Sequence, residues 1–264
     1  MIPKVIHYCW FGNSEKPELV HKCIESWKKY CPDYEMVEWN ESNFDINSYD
    51  YVREAYEEKK WAFVSDVVRL YALVNYGGIY MDTDVEVIGS LDSLLEYEAV
   101  SGFESQTEIP TGLMGSIAHQ ELFEEMLNEY NSVHFLKSDN GIDLTTNVTR
   151  ITNTCLKYGL KQNNTLQTIK GFTLLPKDYL CPKDFETKVT AITQNTLAIH
   201  HFDGSWRSKE DLMFDEIVTR HNVFFSIKPM RYLCKYYCII KVYGMWEANR
   251  RFVIWARRRK NIVK

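Results

Sequence analysis

Two aspartates one residue apart, Asp82 and Asp84, follow the short apolar run Ile79-Tyr80-Met81. Carboxylates this close repel each other unless a cation lies between them. Hard oxygen ligands at the carboxyl end of a buried strand suit Mg2+ or Mn2+, which also bind phosphate oxygens. A bare Asp-x-Asp is equally an ordinary turn, because aspartate hydrogen-bonds its own backbone. What surrounds the pair decides between the two. Upstream, Ser65, Asp66 and Arg69 are three and four residues apart, on one face of an otherwise apolar helical stretch. Burying Asp and Arg is costly unless each is paired or used, so either an internal ion pair or a binding role accounts for them. Far downstream, His200 and His201 end another apolar run, with Gly204, Ser205 and Trp206 just beyond. An imidazole there completes a metal shell begun by carboxylates, and the Ser205 hydroxyl is a donor for a phosphate oxygen.

The elements that must position these groups are legible in outline. Residues 62–76 carry apolar side chains nearly all round, which predicts a helix buried on most sides, and Gly77 is its left-handed stop. Residues 79–81 then form a short strand. Further strands are expected at residues 4–9, 35–39, 99–103, 167–175 and 196–200, and helices at 17–30, 49–60, 120–130 and 144–158, with one or two helical turns at 91–95. Strands alternating with helices imply an α/β sheet domain. After about residue 206 the pattern is helical, giving an expected division into a catalytic domain at 1–206 and a helical C-terminal appendage at 207–264.

With 264 residues, 45% of them hydrophobic, the chain is large enough for one extensive core. It has no apolar run of spanning length, and its first residues lack the features of a signal peptide. The seven cysteines are scattered without a CxxC pair, which fits reduced thiols. The net charge of -5 is unevenly spread: residues 228–264 hold eleven Lys or Arg and one acid, so the body is strongly acidic. The basic segment interleaves Trp246, Phe252, Ile254 and Trp255 with Arg250, Arg251 and Arg257 to Arg259. It reads either as a charged helix closing the domain or as an amphipathic segment on an anionic membrane. The acidic body argues against nucleic acid as the partner, and membrane docking is the expectation taken forward.

Together these residues resemble the DXD-containing sugar transferases of glycosyltransferase family 32, which share their core signature with the glucosylating domains of clostridial toxins. Three blocks carry the resemblance in the family's order: residues 2–12, the Ser65–Asp84 segment and residues 199–206. It implies a GT-A type, Rossmann-like sheet that binds a nucleotide sugar, expected to be a UDP-sugar, with Mn2+ or Mg2+. It further implies that Trp10 stacks on the base, Ser65 meets the ribose region, Asp66 bonds sugar hydroxyls and Arg69 holds the sugar or diphosphate. Tyr80 belongs to the same donor wall. Asp82 is shared between ribose and metal, Asp84 ligates metal, and Ser205 and Trp206 close over the diphosphate. His200 is the expected third ligand, with His201 as its alternative because a one-residue shift exchanges their faces. The implied activity is retaining transfer of a hexose, expected to be galactose, to a glycan or lipid-linked oligosaccharide in surface polysaccharide synthesis, at the cytoplasmic face of the membrane. A GDP-mannose-dependent mannosyltransferase and a non-catalytic sugar-nucleotide or membrane-binding protein are the alternatives. No protein nucleophile stands out; Glu104 and Asn147 at the sheet's rim are the candidates.

Overall fold

A computed structural model describes residues 1–137, 141–185, 187–204, 213, 214, 216, 217 and 228–250. In chain order its main elements are β1 (Val5–Cys9), α1 (Glu18–Tyr30), β2 (Glu35–Trp39), α2 (Asp50–Glu57), α3 (Trp61–Tyr76), β3 (Gly78–Met81) and β4 (Val85–Val87). They continue with β5 (Ala99–Gly102), β6 (Leu113–Ser116), α4 (Glu121–Glu129), α5 (Asn147–Lys157), β7 (Gln167–Ile169), β8 (Phe172–Leu175), α6 (Lys177–Leu180) and β9 (Ala198–His200). The last described is α7 (Lys228–Tyr243). Chain contacts divide the protein into two units, Met1–Asp203 and Gly204–Lys264.

The first unit is built on a seven-stranded sheet in the order β2-β1-β3-β6-β5-β8-β7. β1 runs parallel to both β2 and β3, and β5 runs parallel to β8. β6 and β7 run against their neighbours. The α/β architecture expected from the alternating pattern is therefore present, with a Rossmann-like parallel set at one side. Alternate residues of a strand face opposite sides, and the two cores show it. Tyr80 and Met114 join one core with α2 to α5, whereas their neighbours Ile79 and Leu113 join the other with Trp27 of α1. The apolar helix α3 is enclosed by β1, β3, β6, α2 and α4, which is why so few of its positions tolerate polar side chains.

The junction of α3 with β3 is sterically exacting. Gly77 and Gly78 have φ of 65° and 109°. A Cβ on Gly78 would lie 2.7 Å from the Val5 carbonyl oxygen, and one on Gly77 would lie 2.8 Å from the Ala118 nitrogen. His7 locks the same corner: its Nε2–H donates to Gly77 O at 2.8 Å while its Nδ1 accepts from Trp39 Nε1 at 3.2 Å. Trp39 can only donate, so the ring is neutral, and burial holds its pKa below the ordinary value.

Several short elements differ from expectation. Residues 167–175 are a hairpin, not one strand; Lys170 and Gly171 turn it with φ of 46° and 80°, the geometry a two-residue loop needs. β4 and β6 were not foreseen. β6 is too short and glycine-interrupted to show a period, and β4 exists only through its pairing with β9, more than a hundred residues away. The turns expected at residues 91–95 are a 3-10 helix, Asp92–Glu96.

In the second unit, α7 buries Cys234 and Cys238, and residues 245–250 are helical with Ala248 buried. Leu233, Tyr237, Met245 and Trp246 are exposed. No described helix is long and apolar enough to cross a membrane.

Candidate functional site

The α3 helix turns its few polar groups toward the carboxyl end of β3. Arg69, only 3% exposed, is the hub. Its Nη2 lies 3.1 Å from Asp66 Oδ1 and 3.3 Å from Asp82 Oδ1, and its Nη1 donates to Thr111 O at 2.6 Å. The guanidinium also bonds Ser65 through O and Oγ and sits 4.7 Å from the Tyr80 ring centre. Tyr80 Oη donates to Asp82 Oδ1 at 2.9 Å. Burial works against the charge on Arg69, but Asp82, Tyr80 and Asp66 outweigh it and hold the guanidinium ionised. Burial pushes the Asp66 carboxyl up to about 7, against the pull of Arg69. The internal Asp66–Arg69 pair exists, and it extends into the aspartate turn instead of standing alone.

That turn is fixed by backbone bonds: Asp82 N–H donates to Gly112 O at 2.8 Å and Val85 N–H to Asp82 O at 3.0 Å. β4 then pairs with β9 in a register that sets Val85 opposite His200. The pairing carries His200 Nε2 to 3.2 Å from Asp84 Oδ1. Asp84 Oδ2 accepts from the Asp203 N–H at 2.8 Å. One ligand atom from each of Asp82, Asp84 and His200 lies within 4.8 Å of the others. Burial would raise the Asp84 carboxyl, but His200 and the Asp203 N–H hold it down to about 2. Burial likewise opposes a charge on His200, and Asp84 reverses the effect, keeping its pKa well above the ordinary value.

A set of two carboxylates and one imidazole is a donor set for Mn2+ or Mg2+, and a bound cation would take over the role the His200 proton plays here. His200 is seated against Gly112, where a Cβ would approach its ring to 2.9 Å, and under Phe202 with ring centres 4.2 Å apart. His201 points the other way. Its Nε2 meets Glu86 Oε2 at 2.8 Å, and Lys22 joins the same carboxylate at 2.9 Å. Between the two imidazoles, only that of His200 reaches the aspartate carboxylates.

Trp10 follows β1 at the same sheet edge, half-buried, with its Nε1 donating to Ser14 O at 2.8 Å. β1 and β3 are adjacent and parallel, so Trp10 stands beside the aspartate turn. Ser65 Oγ donates to Ala62 O at 2.8 Å and accepts from Arg69. Ser205 and Trp206 lie outside the described residues. Glu104 stands half-buried just past β5; burial raises its carboxyl, and His200 opposes the shift. Asn147 opens α5 and donates through Nδ2 to Asp66 O at 3.0 Å. Sequence reasoning missed Thr111 and Gly112, which accept from Arg69 and from the Asp82 N–H. The loop was visible as Pro-Thr-Gly, but a backbone acceptor leaves no mark on residue type.

Residues 17–101 match the family model described as a glycosyltransferase sugar-binding region containing a DXD motif. The chain is similar to inositol phosphoceramide mannosyltransferase 3 of Schizosaccharomyces pombe, 36% identical over 118 residues, covering 43% of this chain and 33% of that protein. It is also similar to inositol phosphoceramide mannosyltransferase 2 of the same organism, 31% identical over 128 residues, covering 47% and 37%. The chain thus spans about a third of the length of these relatives. Among solved structures it is similar to the PaToxG glycosyltransferase, at 20% identity and a TM-score of 0.48 over 59% of this chain and 68% of that one.

Proposed function

Since residues 17–101 carry the DXD-containing sugar-binding region of glycosyltransferases, we propose that the protein is a divalent-metal-dependent glycosyltransferase that moves a hexose from a nucleoside-diphosphate sugar, with retention. The observation that carries this is the meeting of Asp82, Asp84 and His200 beside the buried Arg69. Cleaving the sugar–phosphate bond builds negative charge on the diphosphate oxygens, and groups aimed where that charge develops accelerate the step. Asp84, His200 and Asp82 would hold the cation, which when bound would supply Lewis-acid neutralisation of the diphosphate. Arg69, ionised and held by six bonds or contacts, adds a fixed positive charge that needs no reorganisation. Asp66 accepts from sugar hydroxyls, Trp10 offers an aromatic face to the base, and Ser65 lies toward the ribose. Ser205 and Trp206 complete the donor enclosure in this reading. The acceptor hydroxyl enters on the leaving-group side and gives its proton to the departing phosphate, which balances the transfer without a protein nucleophile.

The resemblance to family 32 implies galactose from a UDP-sugar. The names of the relatives favour the alternative, mannose from GDP-mannose, and an inositol-phosphoceramide-like lipid acceptor in place of a capsule or lipopolysaccharide glycan. Hydrolysis of a panel including GDP-mannose and UDP-galactose, with Mn2+, Mg2+ or chelator, tests both levels. Turnover of GDP-mannose alone selects mannose, turnover of UDP-galactose alone restores the first expectation, and turnover insensitive to chelator ends the metal assignment. The proposal also places the C-terminal segment from α7 onward on an anionic membrane surface at the cytoplasmic face. Its support is the exposed Leu233, Tyr237, Met245 and Trp246 together with the basic excess; residues 251–264, with Phe252, Ile254, Trp255 and the arginines beyond, lie outside the described residues. Deleting residues 246–264 should release the protein from anionic liposomes and spare donor hydrolysis, and undiminished liposome binding would refute the docking.

A further inference from the structure

Among the described residues, five buried side-chain nitrogen or oxygen atoms lack a hydrogen bond of ordinary geometry: Tyr51 Oη, Tyr130 Oη, Asn147 Oδ1, Arg150 Nε and His200 Nδ1. Buried polar atoms are nearly always paired, so each exception calls for a reason. Four of these five, all but His200 Nδ1, gather in one place. The Tyr51 and Tyr130 rings pack edge to face with centres 5.0 Å apart. The Arg150 guanidinium lies 5.9 Å from the first and 5.4 Å from the second, and is anchored from outside by the Asp143 carboxylate. Asn147 ties α5 to the Asp66 carbonyl, and its own backbone N–H faces the Asp66 carboxylate. Burial and then the Asp66 charge both disfavour ionisation of the two phenols, so they stay O–H donors.

These residues come from α2, the end of α4 and α5; the two phenols and the Arg150 guanidinium lie within electrostatic range of the Asp66 carboxylate, and Asn147 bonds the Asp66 backbone. Three donors and one amide acceptor thus lie near a buried carboxylate whose direct partners, among the described residues, are Arg69 and one backbone N–H. All four atoms are sealed from solvent, so a hexose cannot touch them; an occupant must be as small as water, which needs two to four polar partners. We infer that Tyr51, Tyr130 and Arg150 are positioning residues for Asp66, enclosing ordered water that links the phenols and the guanidinium to its carboxylate and holds it in the orientation that meets the donor sugar. The phenols and Arg150 act from behind, through Asp66, and touch no substrate. Such outer contacts typically change activity by about 10-fold or more when removed. The inference rests on the reading of Asp66 as a donor contact, and its test separates the two.

Tyr51→Phe, Tyr130→Phe and the double variant keep the rings and remove only the hydroxyls, and each is also made with Asp66→Asn. Three quantities are read: donor hydrolysis, thermal midpoint, and the titration of the Asp66 carboxyl by 13C NMR. The expected result is a fall of about 10-fold in kcat/KM for the double variant, no further fall in the Asp66→Asn background, and an upward move of the Asp66 titration midpoint as its donors are lost. An unchanged midpoint, with Tyr→Phe variants that are as active as the parent and melt higher, would overturn the inference, because it would show hydroxyls that are only tolerated. A moved midpoint with unchanged hydrolysis keeps the layer and removes Asp66 from the donor site. If the parent hydrolyses no nucleotide sugar, the proposed function fails while the NMR titration still decides the layer.

Discussion

Asp66 is buried and Asp84 half-buried in the same site, yet the first carboxyl is pushed up to about 7 and the second held down to about 2. The difference lies in how a neighbouring positive charge is divided. Among the described residues, Arg69 is the only cation within ion-pair reach of Asp66, and it is shared with Asp82, whose own charge works against Asp66. Among the described residues His200 forms its ion pair with Asp84 alone, and the Asp203 N–H adds a second donor. Opposite charge close by favours the ionised form, while desolvation and like charge disfavour it. One side of the site is therefore a rigid arrangement with a carboxylate poised near neutrality. The other is a charged pair whose proton a divalent cation can replace.

The comparison breaks most severely if its charges are removed. Asp84→Ala should lower metal-dependent donor hydrolysis by about 10²–10³-fold while the thermal midpoint shifts little, because His200 can then lose its proton; activity within a few-fold of the parent would end the assignment. Arg69→Met should be the most destabilising single change in the site, by about 3–5 kcal/mol in a denaturant titration, since it leaves Asp66 and Asp82 with no buried counter-ion. Arg69→Lys should recover most of the fold and little of the activity, because a point charge cannot reach Asp66, Asp82 and Thr111 O together. A stability loss of less than about 1 kcal/mol for the methionine variant would show that the pair is not held as described.

The poised carboxylate can be followed with pH. The folded pKa of Asp66 is raised above its ordinary 3.8, so its contribution to stability is present at acid pH and is lost as pH rises toward about 7. Donor hydrolysis should rise over the same limb as Asp66 ionises, and Asp66→Asn should abolish that limb; a profile unchanged by the substitution would detach Asp66 from the chemistry. His7 has the opposite sign to Asp66. Its folded pKa is lowered, so its contribution is complete above the ordinary 6.5 and lost as pH falls below it. The smallest effect belongs to His201→Ala, which removes a partly exposed contact with Glu86 and Lys22. A change under about 1 kcal/mol and nearly full activity are expected, whereas His200→Ala should behave like Asp84→Ala; equal losses from both histidines would contradict the face assignment.

How much could be read beforehand follows from sequence distance. Helix α3, the glycine stop and the aspartate turn lie within some two dozen consecutive residues, and their order reports itself through a 3.6-residue period and two glycines. The hairpin at residues 167–175 was missed although Gly171 marked it, because a continuous apolar run conceals a two-residue turn. The layer behind Asp66 was not legible at all: Tyr51, Tyr130 and Arg150 belong to three separate elements, and each alone reads as an ordinary amphipathic side chain.

The amino-acid sequence by itself determined which groups carry charge and which backbone stretches must be buried, since side-chain chemistry and periodicity are local properties. It therefore specified an α/β sheet and brought forward Ser65, Asp66, Arg69, Asp82 and Asp84 as candidate site residues. Only the tertiary structure decided that His200 and not His201 meets Asp84, that Arg69 is shared between two carboxylates, and that the Asp66 carboxyl lies near 7. The register of β4 on β9 and the desolvation of each carboxylate depend on chain segments far apart in sequence, and electrostatic energy follows distance in space.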